Sequence, residues 1–150
     1  MIHLLIKIMS TIQKAESIAA AAHSNTFDKF GAPYMHHVHR VMLAGQTEEE
    51  KIVGLLHDVV EDTDWTLEDL RKEGFSPRII DALACVTKLS EDEDYESFIE
   101  RVAQNPLAIR VKLNDLADNM DIKRIPTLTT KDFDRLSKYH KAYQYLLTRI

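Results

Sequence analysis

The sequence is poor in the residues that cross-link or punctuate a chain: its 150 residues include 1 Cys, 4 Gly and 4 Pro. A lone cysteine, Cys85, forms no internal disulfide and supplies no thiolate cage. The composition therefore suits a reducing cytoplasm, and any metal ion falls to His and carboxylate ligands. So little Gly and Pro argues against collagenous, disordered and turn-rich all-β chains. Positive charge is not in excess either. The 19 Lys and Arg against 24 Asp and Glu leave a formal charge of -5, which is too acidic for a protein that coats nucleic acid. Long apolar runs are missing as well. Ile2 to Met9 is broken by His3 and Lys7, lacks a small-residue cleavage site and is far too short to span a bilayer. No membrane partner and no targeting signal are expected. Met9-Ser10 offers a start of its own, so residues 1–8 read either as an N-terminal extension of the domain or as a docked first turn.

What is present is an apolar content of 45% against 29% charged residues, on a length that buries one core without staples. The apolar residues recur at helical spacing. Ile12, Ala15, Ala19 and Ala22 form one stripe, and Ile52, Leu55, Leu56, Val59 and Val60 form a second. Ile79, Ile80, Leu83 and Ala84 follow, then Tyr95, Phe98, Ile99 and Val102. The last segment carries Phe133, Leu136, His140, Tyr143, Leu147 and Ile150, and Asp132 to Ile150 reads as one helix packing its Phe133, Leu136 and Tyr143 face on the core. Punctuation agrees. Thr47 with Glu50 makes a capping box, Ser76-Pro77 reads as N-cap and first helical residue, and Asn105-Pro106 separates two helices. Ser24 to Pro33 and Glu91 to Asp94 are the longer connections. No alternating pattern, repeat or Gly/Ser linker breaks the chain, so the reading is a single all-α domain over residues 1–150, a compact bundle of six to eight helices.

Chemistry concentrates at Leu55-Leu56-His57-Asp58-Val59-Val60-Glu61-Asp62-Thr63, where a buried stripe ends in an imidazole and three carboxylates. Carboxylates at a helix C-terminus repel one another and oppose the helix dipole unless a cation compensates. A mixed nitrogen and oxygen site suits Mn, Fe, Co, Ni or Zn. The bland alternative is a satisfied core His57 beside a solvated acidic helix end. Two further clusters favour the ion: Asn114, Asp115, Asp118 and Asn119, with Asp115, Asp118 and Asn119 on one helix face, and His36, His37 and His39 after the turn Gly31-Ala32-Pro33-Tyr34.

These segments resemble the HD-superfamily hydrolases of the RelA/SpoT and metazoan SpoT-homologue type. Gly31-Ala32-Pro33-Tyr34-Met35-His36-His37 is similar to their G-x-P-Y-x-x-H segment, His57-Asp58-Val59-Val60-Glu61-Asp62-Thr63 matches H-D-x-x-E-D-T, and Lys112-Leu113-Asn114-Asp115 looks like K-L-A-D. Val86-Thr87-Lys88-Leu89 also resembles a family segment. The resemblance implies an HD-domain helical bundle in which His37, His57, Asp58 and Asp115 hold one divalent ion, manganese in most of the family. It further implies that Glu61 and Asp62 act on the attacking water, that Lys29 contacts a nucleotide substrate, and that Asn119 contacts the substrate or orients the site. His36 and His39 match no ligand and read as surface groups. The implied chemistry is metal-assisted hydrolysis, the ion lowering the pKa of water and offsetting charge on phosphorus while Glu61 or Asp62 positions the water or takes its proton.

Substrate choice is where the chain departs from the pattern. The family's R-K-S-G loop is Asp28-Lys29-Phe30-Gly31, its H-x-G-Q is His23-Ser24-Asn25-Thr26, Asp118 stands where histidine is common, and Asp121 stands where arginine is usual. Asp28 would repel nearby phosphate, and the Phe30 ring could stack on a base. The leading expectation is hydrolysis of guanosine 3′,5′-bis(diphosphate) and its pentaphosphate to GDP or GTP and pyrophosphate. Asp28 and Phe30 favour the alternative, a phosphohydrolase for a dNTP, a nucleoside monophosphate or NADPH. A silent nucleotide-binding module is disfavoured by the intact acidic pair. The short stretch after the third motif suggests no synthetase portion. Lys29, Arg40, Lys112, Lys123 and Arg124 are the cations that could meet phosphate, with Lys29 alone at a matched position; Tyr34 and Trp65 read as packing residues and Cys85 as a small core residue.

Overall fold

The computed structural model describes residues 11–150, so the reading of residues 1–8 as an extension lies outside it. Nine α-helical segments follow one another among the described residues: α1 (Thr11–Ala22), α2 (Tyr34–Ala44), α3 (Glu48–Leu56), α4 (Val59–Asp62), α5 (Leu67–Lys72), α6 (Pro77–Val86), α7 (Tyr95–Val102), α8 (Pro106–Asn119) and α9 (Thr130–Leu147). A 3₁₀ turn, Ile122–Arg124, links the last two. The segments α3 and α4 are one helix interrupted at His57-Asp58, which makes the architecture the all-α bundle expected from the stripes.

Helix α3 is the axis of the molecule. Its Ile52, Val53, Leu55 and Leu56 are buried, and it packs against α1, α2, α6 and α8. The capping box that starts it is formed: Thr47 Oγ1 accepts from the Glu50 amide at 3.1 Å, and Glu50 Oε2 accepts from the Thr47 amide at 2.9 Å. Gly54 sets how near α2 can come, because a Cβ there would lie 3.3 Å from the Met42 backbone. Ser76 and Asn105 cap α6 and α8 through the amides of Ile79 and Ala108, with Pro77 and Pro106 in the first turns. The Tyr95, Phe98, Ile99 and Val102 stripe of α7 packs inward as the spacing predicts.

The register of α9 differs from the expectation. Phe133 is 57% exposed, and the buried positions are Ala142 and Leu146, with Leu136, Tyr139 and Tyr143 partly covered. Tyr139, Ala142 and Leu146 form the inward face. Asp132, buried as the N3 residue of the Thr129 capping box, takes the place at the start of the helix that Phe133 was expected to hold.

Candidate active site

The ligand-capable residues come from three helices that meet at one end of α3. The interruption after Leu56 turns the His57 ring inward, where its Nδ1 donates to the Gly54 carbonyl at 2.6 Å. In the neutral ring that bond places the proton on Nδ1 and the lone pair on Nε2, which is buried and without a hydrogen-bond partner, 3.0 Å from Asp58 Oδ2 and 3.4 Å from Asp115 Oδ1. His37 on α2 repeats the pattern. Its Nδ1 lies 2.6 Å from Asp118 Oδ2, and its Nε2 lies 3.0 Å from Asp115 Oδ1. Ligand atoms of His37, His57 and Asp58 fall within 4.8 Å of one another, and Asp115 touches both imidazole nitrogens.

Two lone pairs aimed at two carboxylates repel unless a positive charge lies between them. In the ion-free protein that charge is a proton. Burial pulls the His57 pKa down, but Asp58 and Asp115 outweigh it and hold it well above the ordinary histidine value. Burial likewise opposes the ionisation of Asp58 and Asp115. His57 nevertheless holds Asp58 below the usual carboxylate range, and Lys112 and the two histidines do so for Asp115. Buried imidazole and carboxylate donors around one point, with protons where a cation could sit, fit a divalent ion bound by nitrogen and oxygen.

The ligand-capable groups are themselves held. Tyr34 donates to Asp58, Lys112 donates to Asp115 Oδ2 at 2.7 Å, and Asn119 donates to Asp115 Oδ1 at 3.0 Å. Glu61 and Asp62 stand just beyond, on α4, lining an open depression of about 590 Å³ with Thr87 and Lys88. Glu61 accepts from the Lys88 amide at 3.0 Å. Desolvation of the carboxyls, reinforced by Asp58, raises the pKa of Glu61 and lifts that of Asp62 to about 6.

No protein-family model matches the chain. Individual proteins do. The chain is 36% identical over 120 residues to the guanosine-3′,5′-bis(diphosphate) 3′-pyrophosphohydrolase of Aquifex aeolicus, an alignment covering 73% of this chain and 17% of that protein. It is 34% identical over 111 residues to the Haemophilus influenzae protein of the same name, covering 67% and 16%. A probable GTP pyrophosphokinase of Mycobacterium leprae is 32% identical over 128 residues, covering 77% and 16%. The chain is similar to one region of the RelA/SpoT proteins. It spans about one-sixth of the length of the curated relatives it matches.

Where the chain departs from the RelA/SpoT pattern it resembles, the structure shows what the departing residues do. Asp28 is engaged in its own loop: Oδ1 accepts from the amides of Phe30 at 2.8 Å and Ala32 at 3.0 Å around Gly31, whose φ is 89°. Oδ2 lies 3.8 Å from Arg124 Nη1. The expectation that Asp28 repels phosphate therefore needs correcting, since loop amides and an arginine offset much of its charge. Lys29, Phe30, Tyr34, Asn119, Arg135 and Tyr139 line a cleft of about 310 Å³ beside the polar cluster. Lys29 and Asn119 thus share one cleft, with Lys29 exposed at its mouth. Of the other expected cations, Lys112 is turned inward to Asp115, Arg40 and Arg124 are bound to Asp118, and Lys123 is solvated.

Three residues were not legible as site residues. Tyr34, read as a packing residue, joins cleft and cluster through Asp58. Arg135 and Tyr139 reach the cleft from α9, and nothing in their spacing signals it. The exposed His36 and the His39–Glu16 pair, 2.7 Å apart, lie apart from the site.

Proposed function

We propose that this chain is a metal-dependent guanosine 3′,5′-bis(diphosphate) 3′-pyrophosphohydrolase, converting the tetra- or pentaphosphate to GDP or GTP and pyrophosphate. The observation that carries the reading is the buried, unpartnered Nε2 of His57 between two carboxylates, in a chain whose relatives include two proteins named for this reaction. His37, His57, Asp58 and Asp115 are the proposed ligands of one divalent cation, with manganese the favoured ion. Bound there, such an ion supplies a Lewis acid that acidifies water and offsets negative charge developing at phosphorus.

The chain's own groups do the rest. Asp62, with its pKa lifted to about 6, is the better proton acceptor near neutrality, while Glu61 is anchored by the Lys88 amide and orients the water. Water adds to the 3′-pyrophosphoryl phosphorus as its proton passes to Asp62, the bond to the ribose 3′ oxygen breaks, and that oxygen takes up a proton from solvent to leave as the 3′ hydroxyl, with pyrophosphate as the other product. Lys29 and Asn119 are the proposed nucleotide contacts, with Arg135 and Tyr139 beside them in the cleft. No helix among the described residues is long and apolar enough to cross a membrane. The cytoplasm, which the lone Cys85 suits, is the proposed compartment.

A second reading keeps the chemistry and changes the substrate to a dNTP, a nucleoside monophosphate or NADPH. It is favoured by Phe30, whose ring lines the cleft and can stack on a base, and by Asp121, an anion on the cleft wall where the family pattern has a cation. Product analysis by anion exchange separates the two, using ion-stripped protein restored with Mn²⁺, a panel of these nucleotides and Asp58→Ala as control. Mn²⁺-dependent release of GDP and pyrophosphate from ppGpp is the expected result. Inert ppGpp with another nucleotide consumed would overturn the substrate.

A further inference from the structure

Resting on the metal-site reading above, one carboxylate outside the proposed ligand set has a more specific place than a surface residue. Helices α2 and α8 meet twice. At the first level His37 faces Asp115, and one turn further along both helices Arg40 faces Asp118. Asp118 also reaches back to the first level, its Oδ2 lying 2.6 Å from His37 Nδ1. Its side chain is only 10% exposed, and its other contacts are cationic. Arg40 donates from Nε to Oδ1 at 2.6 Å and from Nη2 to Oδ2 at 3.2 Å, and Arg124 Nη2 approaches Oδ2 at 3.2 Å while donating to the Asp118 carbonyl at 2.5 Å.

We propose that Asp118, locked by Arg40 and Arg124, is the positioning residue of the metal site, fixing His37 with its proton on Nδ1 and its Nε2 lone pair aimed at the ion. The warrant is geometric. Asp118 is the acceptor next to Nδ1, and a carboxylate there orients the ring and makes Nε2 a stronger donor. The two arginines hold the carboxylate in one rotamer and keep it ionised, so it accepts and does not donate. The position departs from the pattern the chain resembles, where histidine is common, so the carboxylate with its two arginines is a feature of this chain. His57 needs no such device, because the Gly54 carbonyl serves it.

The test reads ring and ion separately from turnover. In ion-free, ¹⁵N-labelled wild-type protein, at a pH where His37 is neutral, long-range ¹H–¹⁵N spectra should show its proton on Nδ1. Asp118→Ala should show mixed tautomers, and Mn²⁺ affinity by electron paramagnetic resonance should fall about 10- to 100-fold. Asp118→Asn, which keeps an acceptor without the charge, should recover part of that loss. Should the alanine variant not fold, the asparagine variant and Arg40→Gln carry the same readouts, each falling between wild type and the full loss. Unchanged tautomer and Mn²⁺ affinity in folded variants would overturn the clamp, even with ppGpp hydrolysed normally by the wild type. Wild type that binds Mn²⁺ with the predicted sensitivity but leaves ppGpp intact would overturn the substrate and leave the clamp standing. Failure of the wild type to bind any divalent ion would overturn clamp and metal site together.

Discussion

Among single residues, the proposed ligands and the proposed proton acceptor are distinguished by what their loss should do. Asp58 is a shared acceptor for Tyr34 and a neighbour of His57 Nε2, so Asp58→Ala removes a donor atom from the cluster and releases the Tyr34 hydroxyl. Ion uptake and turnover are expected to disappear together, measured by Mn²⁺ titration and nucleotide assay on the same sample. Asp62 lies outside the ligand cluster. Asp62→Asn is expected to keep the ion and lower turnover by about 10²-fold or more, the usual scale for a positioned acid or base. The sign of its pH dependence follows from its pKa of about 6. The group must be ionised to accept a proton, so the rate should climb as pH rises through that value, and the climb should vanish in the variant. A variant with the same pH limb as wild type would move the role to Glu61.

Helices decide how near those residues come. Gly54 lets α2 and α3 approach until His37 and His57 have ring centroids 5.5 Å apart. In Gly54→Ala the new Cβ meets Met42 backbone at 3.3 Å, and backbone cannot step aside as a side chain can. Helix propensity favours Ala by about 1 kcal/mol, so the variant should fold and unfold much as wild type does. The displaced helices should nevertheless weaken Mn²⁺ binding several-fold, which calorimetric titration would detect. Undiminished affinity would show that α2 and α3 tolerate the added methyl. Local patterns of this kind were readable in advance only in part. The stripes of α3, α6 and α7, the Thr47–Glu50 box and the proline starts were legible because each is set by neighbours within four residues. The register of α9 was not, since Phe133 and Tyr139 both fit a helical stripe and only packing against α7 and α8 chooses between them. The roles of Tyr34, Arg135 and Asp118 depend on contacts with partners 24 to 81 positions away, or on a cleft walled by separate helices, and no spacing rule encodes these. The resemblance to H-D-x-x-E-D-T and K-L-A-D singles out His57, Asp58 and Asp115, residues that helical spacing alone leaves unconnected.

At the scale of the whole molecule, the cluster ties stability to pH and to the ion. Asp118 has its pKa lowered to about 2 in the fold, burial being outweighed by His37, Arg40 and Arg124. Its contribution is therefore complete above the unfolded value near 4 and is lost as pH falls toward 2, on the order of 2 kcal/mol in all. His57 has the opposite sign. Raised in the fold by Asp58 and Asp115, it contributes stability that is complete below its unfolded value and lost as pH rises through the folded one. The ion-free protein should accordingly be most stable at mildly acidic pH and weaken on both sides. A divalent ion binds the deprotonated ligands, so it should restore the alkaline side and leave the acid limb, where protons win, unchanged. At a hundredfold excess over its dissociation constant the ion adds about 2.7 kcal/mol, which for a chain of this size raises Tm by roughly 5–10 °C. Thermal melts from pH 2 to 9 of ion-stripped protein, without and with added Mn²⁺, measure this directly. The two curves should converge at low pH and separate above neutrality. Curves that superimpose throughout would mean that the buried imidazoles and carboxylates neutralise one another with protons alone.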